Sequence, residues 1–315
     1  RDILGRAYTW LATLMKQDTH KLYDHIAPAL AEAWEYIEER HNDPRQVTGI
    51  PTGISALDRM TTGFQVGDYI VIAARPSQGK TAIMLQTAVQ AAKQGNAVGI
   101  FSIEMHRSAL AQRLLSHTSL VPGKALRSGH VTDAGWQQLS EWYGRLAEYP
   151  IYVSDKPGLH IREIPAIARR MVVENSVKIL MLDYIGLVDS DKLGTREQEV
   201  SRISRTFQQI SRDLRVPFVV LSQLNRAVEY RTDAEPKLSD LRESGAIEQD
   251  ADVVILIHNP RKGEDGMEPR QAKLLVEKQR NLPTGFVDVM WDGNTMRFAD
   301  MLQYTEPIRN PYKDD

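Results

Sequence analysis

The sequence predicts an α/β fold, a mostly parallel twisted sheet flanked by helices, with antiparallel strands closing one edge at the C-terminal end. Three observations predict it. From Val47 onward, short apolar runs alternate with segments of helical periodicity, the pattern of a sheet covered by helices. The apolar runs are near-continuous, as strands buried on both faces must be. One of them, Tyr-Ile-Val-Ile-Ala-Ala over 69–74, runs into the loop Ala-Arg-Pro-Ser-Gln-Gly-Lys-Thr over 74–81. A helical stretch over 82–94 follows, stopped by Gly95.

Residues 1–46 read as a separate helical linker region. Ile3, Ala7, Trp10, Leu11, Leu14 and Met15 recur at helical spacing, and Leu22, Ile26, Leu30, Ala33, Trp34 and Ile37 mark a second helix. Either both stripes dock on the parent domain, or the first packs on a neighbouring subunit, since a short terminal helix with an apolar stripe needs a partner. The polar segment 41–46, with Pro44, is the natural linker. The main domain spans 47–305, and 306–315 form a tail. Strands are expected at 69–74, 98–103, 177–182, 217–222 and 252–258. Three more, at 272–277, 286–291 and 295–299, lie so close together that they read as antiparallel. The clearest late helix covers 196–215. Its apolar residues Val200, Ile203, Phe207, Ile210 and Leu214 step by three and four, while arginines line the other face.

Composition excludes several classes. The 315 residues are 42% hydrophobic and 25% charged, ordinary for a soluble globular chain. The net charge of −2 means that any nucleic-acid contact must come from a local patch. There are no cysteines, so disulfides and Cys-based zinc sites are excluded and a reducing cytosol fits. The eight histidines show no i, i+4 pair, so no zinc site is expected, and the ten methionines read as core filler. No apolar stretch reaches about 18 residues, which leaves nothing to span a membrane as a helix. The chain opens with Arg1 and shows no signal-peptide pattern, so it reads as a cytoplasmic piece of something longer.

The loop at 74–81 carries the chemistry. Backbone N–H groups at a helix start are unpaired and point one way, so Ser77, Gln78, Gly79, Lys80, Thr81 and Ala82 can wrap a polyphosphate. Lys80 then supplies positive charge near the outer phosphates, and the Thr81 hydroxyl is placed to ligate Mg²⁺. Ala74 stands where the usual pattern has its first glycine, which is tolerable if its φ stays negative. The competing reading is an ordinary βα turn that contains Gly-Lys-Thr. Asp183 ends the strand at 177–182, at the edge where α/β sheets bind ligands, and can reach the metal or its waters; a strand-end Asp is otherwise a turn or helix cap. Glu104 follows the strand at 98–103, where a carboxylate could deprotonate the attacking water. Its rival role is an acid at a helix start. Gln223 ends the strand at 217–222 and could sense the γ-phosphate, or be one residue of a polar turn.

Together these stretches resemble the C-terminal motor domain of the DnaB-type replicative helicases, a RecA-like P-loop NTPase group. The matching segments are Val-Thr-Gly-Ile-Pro-Thr-Gly at 47–53, Ala-Ala-Arg-Pro-Ser-Gln-Gly-Lys-Thr-Ala at 73–82, Ser-Ile-Glu-Met at 102–105 and Leu-Asp-Tyr-Ile at 182–185. Ser-Gln-Leu-Asn-Arg at 222–226, the acidic and glycine-containing run at 240–252 and Lys-Gln-Arg-Asn-Leu-Pro-Thr-Gly at 278–285 complete the set, in the family's order. Residues 1–46 resemble only the position of the family's linker helix. The resemblance implies that Lys80 and Thr81 bind phosphate and Mg²⁺, Glu104 is the catalytic base, Asp183 the metal-side carboxylate and Gln223 the γ-phosphate sensor. It also implies that Lys278 and Arg280 reach into the active site of the adjacent subunit, and that Arg242, Glu243 and Gly245 contact the single-strand backbone in a central channel. The composition around 240–250, acidic and without aromatics, suits a backbone tracker more than a base-stacking platform.

The implied cofactors are ATP, or another NTP, and Mg²⁺. The implied partners are single-stranded DNA, five further copies in a homo-hexamer, and primase and a helicase loader for the full-length protein. The setting is the bacterial cytosol, with a phage-encoded origin left open, and the implied direction is 5′→3′. Two readings share the motifs: a recombination or repair ATPase of the same group, and an ATP-gated DNA-binding assembly factor.

Overall fold

The computed structural model describes residues 25–42, 47–191, 194–231, 235–241, 245–259 and 269–301, in two compact units that divide between Arg45 and Gln46. In the first unit, α1 (Ala27–Asn42) is the second expected helix, and Ile26 just before it and Leu30, Trp34 and Ile37 on it stand exposed at spacings of three and four. The expected first helix lies outside the described residues, as does the tail.

The second unit is built on one nine-stranded sheet of order β3-β2-β4-β5-β1-β6-β7-β8-β9. The strands are β1 (Tyr69–Ala74), β2 (Ala97–Ser102), β3 (Ile151–Ser154), β4 (Val177–Asp183), β5 (Phe218–Gln223), β6 (Val253–His258), β7 (Arg270–Gln279), β8 (Gly285–Asp292) and β9 (Arg297–Asp300). Neighbours from β3 through β6 run parallel, and β7, β8 and β9 continue the sheet antiparallel. Every strand expected from the sequence is present, within a few residues at each end. The one not foreseen is β3, a four-residue edge strand that is only partly buried and so carries no apolar run.

The α-helices among the described residues of this unit are α2 (Ser55–Thr61), α3 (Lys80–Lys93), α4 (Arg107–Ser119), α5 (Gly123–Ser128), α6 (Asp133–Glu148), α7 (Ile164–Asn175), α8 (Arg196–Leu214) and α9 (Gly245–Asp250). The two faces of β1 show how the layers form. Ile70, Ile72 and Ala74 face one core with Ile83, Met84 and Ala88 of α3, whereas Tyr69, Val71 and Ala73 face the other with Ile203, Phe207 and Ile210 of α8. The α8 start carries a capping box between Thr195 and Gln198. Nearly every residue of α3 is buried, because the C-terminal strands cover its outer side. The Gln86 amide donates to Phe298 O at 3.0 Å and to Gly53 O at 3.3 Å, and its oxygen accepts the Phe298 N–H at 3.1 Å. The Asp300 carboxylate in turn accepts the N–H groups of Ser55 and Ala56, capping α2.

Candidate active site

The loop after β1 turns into α3 as expected. Ala74 ends β1 in register with Gln223, so the position that usually holds glycine is extended strand and tolerates a methyl group. Gly79, by contrast, has a φ of +100°, and a Cβ there would come within 2.7 Å of Phe298 Cζ and 2.9 Å of Trp291 Cζ3. Only glycine meets both demands. The β8–β9 aromatic pair, with ring centroids 4.6 Å apart, therefore buttresses the phosphate loop from beneath. Asn259, beyond β6, donates to Gln78 O at 3.3 Å and accepts from Arg270 Nε at 2.7 Å, which holds the loop's far side.

Adjacent strands deliver the carboxylates. Thr81 Oγ1 donates to Asp183 Oδ2 at 2.7 Å. Lys80 Nζ lies 3.7 Å from Asp183 Oδ1, 3.5 Å from Glu104 Oε2 and 3.9 Å from the centre of the Tyr184 ring. The N–H groups of Ile103 and Glu104 donate to Asp183 O, which fixes the Glu104 backbone beside the end of β4. Burial pushes the Asp183 carboxyl above the ordinary carboxylate range; the Lys80 charge and the Thr81 bond pull it back, Glu104 pushes up again and Arg113 pulls down. Asp183 Oδ1 is buried with no hydrogen-bond partner, its nearest charge being Lys80 Nζ, so it is an oxygen left with acceptor capacity for a cation or its water. A hydroxyl and a carboxylate beside a phosphate loop are the hard oxygen donors that Mg²⁺ shares with a nucleotide. Among the described residues no cluster of three or more His, Asp or Glu could hold an ion alone. The residues fit Mg²⁺ held jointly with phosphate.

Gln223, half-buried at the tip of β5, stands beside Ala74. The loop beyond it is strapped to the phosphate loop by a residue that sequence reasoning passed over. Buried Arg75 donates to Leu224 O at 2.8 Å and to Glu229 Oε1 at 2.8 Å. From there Asn225 N–H donates to Asp240 O, and Leu224 bridges Leu241, which precedes the expected DNA loop. Arg242 and Glu243 lie outside the described residues. Gly245 opens α9, and a Cβ on it would meet nothing within 4 Å, so its backbone is open to close approach. Arg196, one of the arginines on the outer face of α8, bonds within its own chain to Glu199 and Gly186 O.

Lys278 and Arg280 are not at this edge. They lie at the end of β7, beside the start of β6 and β1. The six residues of β1, at about 3.3 Å each, separate the two edges by roughly 20 Å. Arg280 Nη1 donates to Asp252 Oδ1 at 3.0 Å, and Lys278 Nζ donates to the carbonyls of Glu248 and Gln249, closing the C-terminal end of α9.

This fold and site define a RecA-like P-loop NTPase, with the phosphate loop, Asp183 and Glu104 at one sheet edge. The DnaB-like helicase C terminal domain family matches residues 49–300. The chain belongs to that family, as the C-terminal motor domain of a DnaB-like replicative DNA helicase, an NTP-hydrolysing enzyme. It is 38% identical over 304 residues to replicative DNA helicase DnaC of Bacillus subtilis strain 168, covering 95% of this chain and 67% of that protein. It is 42% identical over 310 residues to replicative DNA helicase DnaB of Leifsonia xyli subsp. xyli, covering 95% of this chain and 66% of the relative. The chain thus spans about two thirds of these relatives' length. Among solved structures, a DnaB-like replicative helicase studied for its interactions with primase superposes with a TM-score of 0.79 at 30% identity, covering 94% of this chain and 71% of that one. A solved ATPase domain gives 0.82 at 31% identity, covering 89% and 99%.

Proposed function

We propose that this domain hydrolyses ATP, or another NTP, to draw single-stranded DNA through a hexameric ring and unwind duplex at the replication fork in the 5′→3′ direction. The observation that carries the reading is the convergence of Lys80, Thr81, Glu104 and Asp183 at one sheet edge, in a chain of this family. Lys80 and the N–H groups of residues 77–82 bind the phosphates. Thr81 and Asp183 would hold Mg²⁺, which when bound would supply charge neutralisation at the outer phosphates. Glu104 takes the proton from a water whose oxygen bonds to the γ-phosphorus as the β–γ bridge bond breaks. Gln223 senses the γ-phosphate.

Arg280 and Lys278 serve the neighbouring subunit's nucleotide. Their place across the sheet from their own phosphate loop supports this, since an arginine side chain falls far short of roughly 20 Å. Arg242, Glu243 and the Gly245 backbone track DNA phosphates without reading sequence. The strap from Arg75 through residues 224–229 to Asp240 gives nucleotide state a physical route to that loop. In the full-length cytosolic protein, primase and a loader complete the partners. The readings as a recombination ATPase or an assembly factor are not favoured, because the relatives are named as replicative helicases.

The test is DNA-stimulated hydrolysis and strand separation by Lys80→Ala. Both are expected to fall by roughly 100-fold or more, as when a charge-stabilising donor is removed. Parental rates would refute the site.

A further inference from the structure

Asp252 uses every polar group it has to tie the start of β1 to the end of β7. Its N–H donates to Tyr69 O at 2.9 Å, and its carbonyl accepts the Arg280 N–H at 3.0 Å. Its Oδ2 accepts the Tyr69 N–H at 3.0 Å, and its Oδ1 accepts from Arg280 Nη1 at 3.0 Å, with Arg212 Nη2 3.8 Å away. The Asp252 side chain is 7% exposed and that of Arg280 is 65% exposed. A buried carboxylate is tolerated only where donors and cations surround it, and here they are the Tyr69 N–H and the Arg280 guanidinium, with Arg212 as a second cation nearby. The guanidinium is a rigid planar fork, so pinning one nitrogen sets the direction of the whole group.

We propose that Asp252 is a positioning residue for Arg280, holding the guanidinium to the root of β1 in the orientation it presents to a neighbouring subunit. Strand β1 then carries the protomer's own phosphate loop at one end and, at the other, is tied through Asp252 to the cation for another protomer's phosphates. A shift of either end is felt at both. The inference rests on the in-trans reading of Arg280.

Asp252→Asn keeps the size and an oxygen for the Tyr69 N–H, but removes the charge that holds Arg280. In the full chain, kcat of DNA-stimulated hydrolysis is expected to fall by roughly 10- to 100-fold, the cost of a misplaced catalytic group. KM should change by less than about twofold, because the variant's own nucleotide site is intact. Co-assembly with Lys80→Ala protomers, whose site is dead but whose Arg280 is held normally, should restore turnover at mixed interfaces. The same mixture with Arg280→Ala is the control. Parental kcat for Asp252→Asn would overturn the proposal. So would rescue of Arg280→Ala without rescue of Asp252→Asn, which would make Asp252 a staple of its own fold. Failure to rescue Arg280→Ala would instead overturn the in-trans reading, and this inference with it.

Discussion

Glu104 is held by its backbone and left half open by its side chain. The N–H groups of Ile103 and Glu104, both bonded to Asp183 O, fix where it starts, while its carboxylate, 3.5 Å from Lys80 Nζ, is 48% exposed. Glu104→Gln is therefore expected to bind ATP and DNA at parental affinity while hydrolysis falls by roughly 10²- to 10⁴-fold, the contribution of a general base. Equilibrium binding and single-turnover hydrolysis check this, and normal unwinding would reject the role. Asp68 offers a pH-dependent test of the opposite sheet edge. Burial, with the Asp252 charge beside it, pushes its carboxyl up to about 6, against the pull of Arg280. The folded protein thus holds a proton there that the unfolded chain releases near pH 4. The associated stability is complete below the ordinary carboxylate value and is lost as pH rises through about 6. Asp68→Asn should leave stability unchanged at pH 4 and raise it by about 1 kcal/mol at pH 7.5, a figure discounted for partial solvent screening. Denaturant midpoints at the two pH values decide it.

At the scale of elements, α8 and β1 are joined by aromatic packing. The Phe207 ring is fully buried, with its centroid 5.0 Å from that of Phe218 and 6.4 Å from that of Tyr69. Phe207→Ala is expected to cost about 3–5 kcal/mol, measured by chemical denaturation. The step pattern around Phe207 made α8 plain in the sequence, and the loop at 74–81 marked the start of α3 to within two residues, the helix being expected from 82 and beginning at Lys80. The edge strand β3 left no trace, because four half-buried residues have no period to read. The Arg75 strap was equally silent. An arginine inside a phosphate loop looks like solvent-facing variation until the fold brings Leu224 and Glu229 beside it.

For the molecule as a whole, the sheet places Lys80, Thr81, Glu104 and Asp183 at one edge and Arg280 at the other. Arg280→Ala should bind nucleotide almost normally and lose turnover by about a thousandfold, the contribution of an arginine acting in trans. Isolated parental protomers should be as slow as the variant. Hydrolysis at equal rates by dilute protomers and by closed rings seen in electron micrographs would end the in-trans account. Lys278, on the same strand, closes α9 in its own chain, so the two cations of that pair have different standing contacts.

Sequence by itself determined the phosphate loop, the strand-tip residues Asp183 and Gln223, the parallel-then-antiparallel sheet and the family. These follow from local period and from residues a few positions apart. The tertiary structure alone decided that Thr81 meets Asp183, that Phe298 forbids a side chain at 79, and that Asp252 grips Arg280. Such pairs are separated by 28 to 219 positions in the chain, as in Arg280 with Asp252 and Phe298 with Gly79. No periodicity spans such distances; only the order in which strands pair brings those residues together.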